Sequence, residues 1–542
     1  MKKASDRILK RSVLSILVAA ALYTPQAMAG FTKVVTEGST VTDETVENGR
    51  QTVASGGTAD KTTIDYGGEQ IVYGTADKTT INNGGTQYVQ ADGTATGTTI
   101  KNGGLMQNAG EDTGTTVKDG GVYELGRYSY SSPDTPDYRY YGSSSASDLT
   151  VEAGGRAEVY AGTLTGATVS GKDATLTLMT PQGDKESIIS TLKGKVSVTD
   201  HASLVSQRGA DMSEADLSLS SQGTLILKGD AGCPENGCSW TVNSLAPDNG
   251  VVAFYDTAVT PVSDGGYQTL TTGSLSGSGN FYMHTNVGDN RGDRLVVTGT
   301  AEGNHRVYVA NTGVSPSGDT PLTLVTTGGG DASFSLGNVS GVVDVGTYEY
   351  TLKKDTDNPG GNSWSLTEYV APEPPTPDTP DTPVPPPSDV SKRITPSTAA
   401  VLSMAAVTPL VWDTELESVR ERLDSLKGKA DENGVWSTVY SRRSDLSTDA
   451  GAGAEQTLTG LTVGADARSE RGSSMTTRGV FFSYSHSDVG FDRGGKGNVD
   501  SYGAGAYAGW EHRNGAYVDG VVKVNRFAHT VRGRVSVNGA PY

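Results

Sequence analysis

Along the first third of the chain the apolar positions are sparse and return at a long, nearly fixed interval. Val46, Ile64, Ile81, Ile100 and Val117 are separated by 18, 17, 19 and 17 residues, and a period of this length marks a stacked repeat. One phrase surrounds these anchors. It reads Thr-Thr-Ile-Asp-Tyr-Gly-Gly-Glu-Gln-Ile-Val from Thr62 to Val72, Thr-Thr-Ile-Asn-Asn-Gly-Gly-Thr-Gln-Tyr-Val from Thr79 to Val89, and Thr-Thr-Ile-Lys-Asn-Gly-Gly from Thr98 to Gly104. Degenerate copies follow at Thr115–Gly121 and Thr150–Gly155. Each unit has room for two or three short strands and tight glycine turns, and no unit can bury its apolar positions without a neighbour stacked on it. The pattern predicts an all-β fold built on a right-handed parallel β-helix over residues 30–269.

The pattern then changes several times. Residues 122–148 interrupt the repeats with a tyrosine-rich insertion; insertions emerge on one face of a solenoid, and tyrosines are common contact residues. Tyr128, Tyr130, Tyr138, Tyr140 and Tyr141 form the candidate binding loop. From Val169 to Asp256 the phrase fades but alternation persists, as in Ala174-Thr-Leu-Thr-Leu-Met179, so the helix of coils is expected to continue. Residues 270–368 carry denser strands. The proline-rich tract 369–392 predicts an extended polyproline II spacer. In the helical linker 393–433, an Ala-rich run ends at Pro409 and a second helix starts at Asp413, with Leu416, Val419, Leu423 and Leu426 at helical spacing. From 434 to 542 apolar and polar residues alternate: Leu461, Val463 and Ala465 with Thr462, Gly464 and Asp466, and Val518, Val522 and Val524 with Asp519, Lys523 and Asn525. One face suits lipid and the other a watery lumen. About five strands are predicted there, with a hairpin turn at Arg513-Asn-Gly515.

Composition narrows the function. A formal charge of −19 and 71 glycines leave no basic face for nucleic acid. The start of the chain reads as a secretory signal peptide, residues 1–29: Lys2, Lys3, Arg7, Lys10 and Arg11 precede an apolar run from Val13 to Leu22, and Ala27-Met28-Ala29 supplies a cleavage site before Gly30. In an exported chain Cys233 and Cys238 are expected to close a small disulfide loop.

Three phrases carry a resemblance: Leu275-Ser-Gly-Ser-Gly-Asn-Phe281, Gly292-Asp-Arg-Leu-Val-Val-Thr-Gly299 and Gly303-Asn-His-Arg-Val-Tyr-Val-Ala-Asn311. Together they resemble the C-terminal cap of AIDA- and pertactin-type autotransporter passengers, the type V secretion adhesins. The resemblance implies a surface-exposed passenger mediating adhesion or self-association through a β-helix flank. It implies a cap that stabilises the rod and nucleates its folding, and a helix threading a translocator barrel. Its implied partners are the outer membrane with its barrel-assembly machinery, and a host-surface glycan, a host protein or a second passenger. Bacterial barrels have even strand numbers from eight upward, and Ala540-Pro-Tyr542 is unlike the family's aromatic last strand. The expectation is therefore a truncated translocator, with the passenger at the cell surface if the barrel forms and in the periplasm if it does not.

Other motifs are weaker. Arg291-Gly292-Asp293 matches the integrin tripeptide but falls where the cap pattern needs a turn. Gly490-Phe-Asp-Arg-Gly-Gly-Lys496 starts like a phosphate loop, yet Gly497 follows it and it joins two strands. No serine-protease nucleophile phrase occurs, and the six histidines form no metal pair. No catalytic, cofactor-binding or metal residue is assigned. The alternatives are a secreted carbohydrate-active β-helix enzyme and a truncated product without function.

Overall fold

A computed structural model describes residues 31–130, 137–181, 188–229, 233–234, 237–254, 266–318, 320–355, 362–370, 392–429 and 433–533. The chain divides into two compact units that meet in sequence at Thr224 and Leu225. The signal peptide with its Ala29/Gly30 cleavage site, the body of the proline-rich tract and Ala540 to Tyr542 lie outside the described residues.

In the first unit each coil up to Val117 holds three short strands, and from Ser145 on the second and third merge into one longer strand, as in Gly162–Ser170. Arg50–Val53, Thr58–Asp60 and Thr63–Ile64 make one coil, and Glu69–Val72, Thr75–Asp77 and Thr80–Ile81 the next. Successive coils pair in parallel and in register. Equivalent residues therefore stack: Val53 on Val72 on Val89, Ala59 on Ala76 on Ala95, and Ile64 on Ile81 on Ile100, all fully buried. The apolar period in the sequence is the chain length of one coil.

The Gly-Gly pair has two different causes. Gly84 has φ +76° and its N–H donates to the Gly103 carbonyl at 3.0 Å, a left-handed turn that glycine adopts without strain. At Gly85 a Cβ would lie 2.5 Å from the Ile64 carbonyl oxygen one coil below. Backbone, unlike a side chain, cannot swing aside. Gly85→Ala is expected to cost about 1–3 kcal/mol, in the range of core overpacking, and to lower the urea midpoint accordingly.

The glutamines of the repeat point inward. Gln70 Nε2 donates to Gln51 Oε1 at 2.6 Å, and Gln87 Nε2 donates to Gln70 Oε1 at 2.7 Å. Thr62, Thr79 and Thr98, the first threonines of the phrase, donate to Gln51, Gln70 and Gln87 at 3.3 Å. Below, Gln51 donates to Glu44, which pairs with Lys33. Above, Met106 takes the glutamine's register, and Thr115 turns instead to Asp112 at 2.7 Å. A polar ladder thus runs inside an otherwise apolar column, with its amide groups satisfied by one another.

The second unit continues as parallel coils through Thr269–Leu275, Ser278–Asn286, Arg294–Thr300 and Asn304–Asn311. It then changes direction. Ser363–Glu368 pairs antiparallel with both Leu322–Gly329 and Tyr348–Lys354, so the parallel column ends under an antiparallel sheet. Phe281, His305, Phe334 and Trp364 stack in its interior with ring centroids 4.7–5.7 Å apart along the series. The buried His305 accepts from the Gly279 N–H at 3.1 Å and lies 3.0 Å from the Glu302 carbonyl. Burial lowers its pKa. Cys233 and Cys238 are joined as a disulfide, with Cα atoms 5.1 Å apart.

The proline-rich tract, expected as a spacer, lies outside the described residues from 371 to 391. Its flanks Val370 and Lys392 form an antiparallel bridge, as do Tyr348 and Ile394. The residues from Lys392 to Thr395 lie at the edge of the cap before the helix starts.

That helix differs from expectation: it is one element, Pro396–Leu426, with Pro409 inside it. Proline in a helix interior costs about 3 kcal/mol, which tertiary packing offsets here. Ala400, Met404, Val407 and Val411 pack on Ala454, Leu458, Val489, Phe491 and Val499, and Val419 and Leu423 pack on Trp436, Phe481 and Tyr507. Both clusters lie against a sheet of five antiparallel strands, Gly434–Ser447, Gly453–Arg471, Ser474–Phe491, Lys496–His512 and Tyr517–Arg532. Val439, Val463, Val480, Phe482, Val522 and Val524 are exposed on the other face, as a lipid-facing surface requires. On the helix side, Glu415 accepts from Lys523 Nζ and Asn525 Nδ2, both at 2.6 Å, and Arg422 pairs with Asp466 at 2.8 Å.

Candidate functional site

The outward side chains of the first strand in each coil form a column: Arg50, Glu69 and Thr86 at one position, and Thr52, Ile71, Tyr88, Gln107 and Glu124 two residues further along. Arg50 donates twice to Glu69 Oε2, at 2.7 and 3.0 Å. An exposed pair of this kind contributes about 0–1 kcal/mol to stability. Its polar groups remain partly open to solvent.

Over this column lies the tyrosine-rich insertion, which forms a two-stranded antiparallel ribbon rather than an irregular loop. Arg127–Tyr130 pairs with Asp137–Tyr140, with Arg127 opposite Tyr140 and Tyr128 opposite Arg139. Tyr128 meets Tyr88 edge-on, with centroids 5.4 Å apart. Tyr140 lies 6.2 Å from Tyr160, and the Arg127 guanidinium sits 4.0 Å above the Tyr160 ring, a cation–π contact. Arg127 also pairs with Glu124, which accepts from Gln107 Nε2 at 2.7 Å. These contacts root the ribbon on the coils. They bury Gln107 and Glu124, although both project outward. Burial raises the pKa of Tyr88 and of Tyr160, so both phenols stay neutral hydrogen-bonding groups at physiological pH.

Of the five candidate tyrosines, Tyr128 and Tyr140 thus come together with Tyr88 and Tyr160. Tyr141 stands at the foot of the ribbon, its N–H donating to the Gly126 carbonyl at 2.9 Å. The backbones of Tyr130 and Tyr138 form part of the ribbon, and their side chains lie outside the described residues. Sequence reasoning passed over Tyr88, Tyr160, Arg50 and Glu69. Their signal was available: Arg50, Glu69 and Tyr88 occupy outward positions of strands whose inward residues are the Gln and Val of the repeat, and Tyr160 directly follows the equivalent strand Arg156–Val159.

The integrin-like tripeptide is structural. Asp293 is buried, and its carboxylate accepts from the backbone N–H groups of Gln268 at 2.7 Å and His284 at 2.6 Å. Burial pushes its pKa up to about 8. A receptor would have to extract it from the cap.

A parallel coil stack, an antiparallel end cap, a single helix and an amphipathic antiparallel sheet together define a passenger joined to a membrane β-domain. Family models agree, segment by segment. Residues 37–85 and 71–121 match the "Adhesin of bacterial autotransporter system, probable stalk", residues 242–368 match pertactin, and residues 435–541 match the autotransporter beta-domain. The chain belongs to the autotransporter family. It is 50% identical over 415 residues to "Probable autotransporter YpjA" of Escherichia coli K12, covering 73% of this chain and 27% of that protein. It is 37% identical to "Autotransporter CRAC" of Citrobacter rodentium, over 60% of this chain and 19% of the relative. It is 35% identical to "Autotransporter adhesin/invasin TibA" of Escherichia coli O78:H11, over 57% and 34% respectively. The chain thus spans between about a fifth and a third of these relatives' lengths.

Proposed function

We propose that this chain is a non-enzymatic surface passenger that adheres through the face made by the ribbon and the coils beneath it. The observation that carries this reading is the aromatic ribbon rooted on a column of charged and polar side chains. Tyrosine offers a large flat contact at low conformational cost, and the Arg50–Glu69 pair beside it offers donors and acceptors to a saccharide or to a polar protein surface. One relative is named an adhesin and invasin, which supports the same reading. Export by the N-terminal 1–29 segment, insertion by the barrel-assembly machinery and display at the outer membrane complete the proposal.

The test uses the purified full chain and a Tyr88→Ala/Tyr128→Ala variant, read on a glycan array, on host-cell surfaces and by light scattering for self-association. Loss of about 1–2 kcal/mol per ring predicts at least a tenfold fall in whichever binding is found. Equal binding by both proteins would reject the ribbon as the contact, and turnover of a surface polysaccharide would reject the non-enzymatic reading.

A further inference from the structure

At the end of the cap, the antiparallel strand Tyr348–Lys354 has a neighbour of an unexpected kind. After the proline-rich tract the chain returns and lies against it: Glu349 N–H donates to the Arg393 carbonyl at 2.9 Å, and Thr395 N–H to the Thr347 carbonyl at 2.9 Å. Tyr369 N–H donates to the Glu349 carbonyl at 2.7 Å, so Glu349 holds both flanks of the tract by its backbone. Its side chain is 2% exposed and carries two further partners. One carboxylate oxygen pairs with Arg393 Nε and the other with Arg493, whose second nitrogen donates to the Ile394 carbonyl.

Arg493 comes from the β-domain, in the turn between Ser474–Phe491 and Lys496–His512. A second contact sits beside it, where Tyr348 and Ile394 pack with Ala399 of the helix and Ala452 of the turn before Gly453–Arg471. Thr395 caps the helix at Thr398 N–H and also donates to the Gly346 carbonyl. Cap, helix start and one β-domain turn therefore converge on one carboxylate, with a second β-domain turn packed beside it. A buried carboxylate is tolerated only when paired and hydrogen-bonded, and here each partner comes from a different segment.

We infer that Glu349, Arg393 and Arg493 form a docking joint that seats the passenger cap on the turns of the β-domain, independently of the covalent path through the proline-rich tract. The joint fixes the passenger's base where its chain enters the helix. The two flanks of the tract are held together on the cap strand itself.

The experiment places a specific protease site within residues 375–385 of the full chain, purified in detergent, cuts it, and asks whether the two fragments co-elute. The uncut cap remains trypsin-resistant if folded, and this is checked for every variant. The wild-type fragments are expected to stay together, with Arg493→Ala raising their dissociation about tenfold or more and Arg493→Lys by less, because lysine keeps the charge but not the fork. Arg493 lies in a turn, so its loss leaves the cap's own contacts intact. Separation of the wild-type fragments on cutting, or equal retention by Arg493→Ala and wild type, would overturn the joint.

Discussion

Gln70→Leu is expected to destabilise the coil stack by about 3–5 kcal/mol, although leucine fills nearly the same volume. The substitution removes three hydrogen bonds: from Gln70 to Gln51, from Gln87 to Gln70 and from Thr79 to Gln70. All four residues are at most 1% exposed, so no water replaces the lost partners. Each buried donor or acceptor left alone costs about 1–3 kcal/mol, whereas removing both ends of a bond together is close to neutral. Changing Gln51, Gln70 and Gln87 to leucine along with Thr62, Thr79 and Thr98 to valine should therefore cost less than Gln70→Leu alone per residue changed. Urea midpoints of the single and sixfold variants read this directly. A single variant as stable as wild type would mean that the ladder contributes nothing.

The ladder also shows where sequence reading stops. The period from Val46 to Val117 gave coil length, strand number and register, because every coil repeats one burial pattern and a slip of one residue would turn each anchor outward. The same phrase contains Gly-Gly-Glu-Gln and Gly-Gly-Thr-Gln, yet a glutamine in a strand reads as an outward residue unless its stacking partner is known. Partners lie 17 to 19 residues away, and only the folded register brings them within hydrogen-bond distance. Pro409 failed differently. Its local cost is real, but Met404, Val407 and Val411 are held against the β-domain, and packing spread over two clusters outweighs one lost bond. The tract after Val370 was read by composition alone, and composition says nothing of where the two ends are tied. For the proposed binding face, the insertion was visible by its tyrosines, whereas Tyr88 and Tyr160 belong to it only because the ribbon folds back over them.

Asp112→Asn is expected to leave the stack's stability nearly unchanged at pH 4 and to raise it by up to about 4 kcal/mol at pH 8. Asp112 occupies the register of Ala95 and Ala146, within an inward apolar column that runs from Val41 through Ala59 and Ala76 to Leu164. One carboxyl oxygen accepts from Thr115 at 2.7 Å, and the buried Tyr123 phenol faces the group. Burial pushes its pKa up to about 7, against about 4 in an unfolded chain. The native state therefore holds a proton that the unfolded state has released between those values. Stability is fully present below pH 4 and is lost as pH rises toward 7, by about 1.4 kcal/mol per unit. Asparagine removes the titration and keeps an acceptor for Thr115. Asp293 acts in the same sense, with a pKa pushed up to about 8, while His305, lowered by burial, loses stability as pH falls below its unfolded value near 6.5. Both remain in the variant, so the difference between variant and wild type, measured as urea midpoints from pH 4 to pH 8, isolates Asp112. A difference that does not grow with pH would place the native carboxyl in its ordinary ionised form, held by Thr115 and Tyr123 strongly enough to offset its burial.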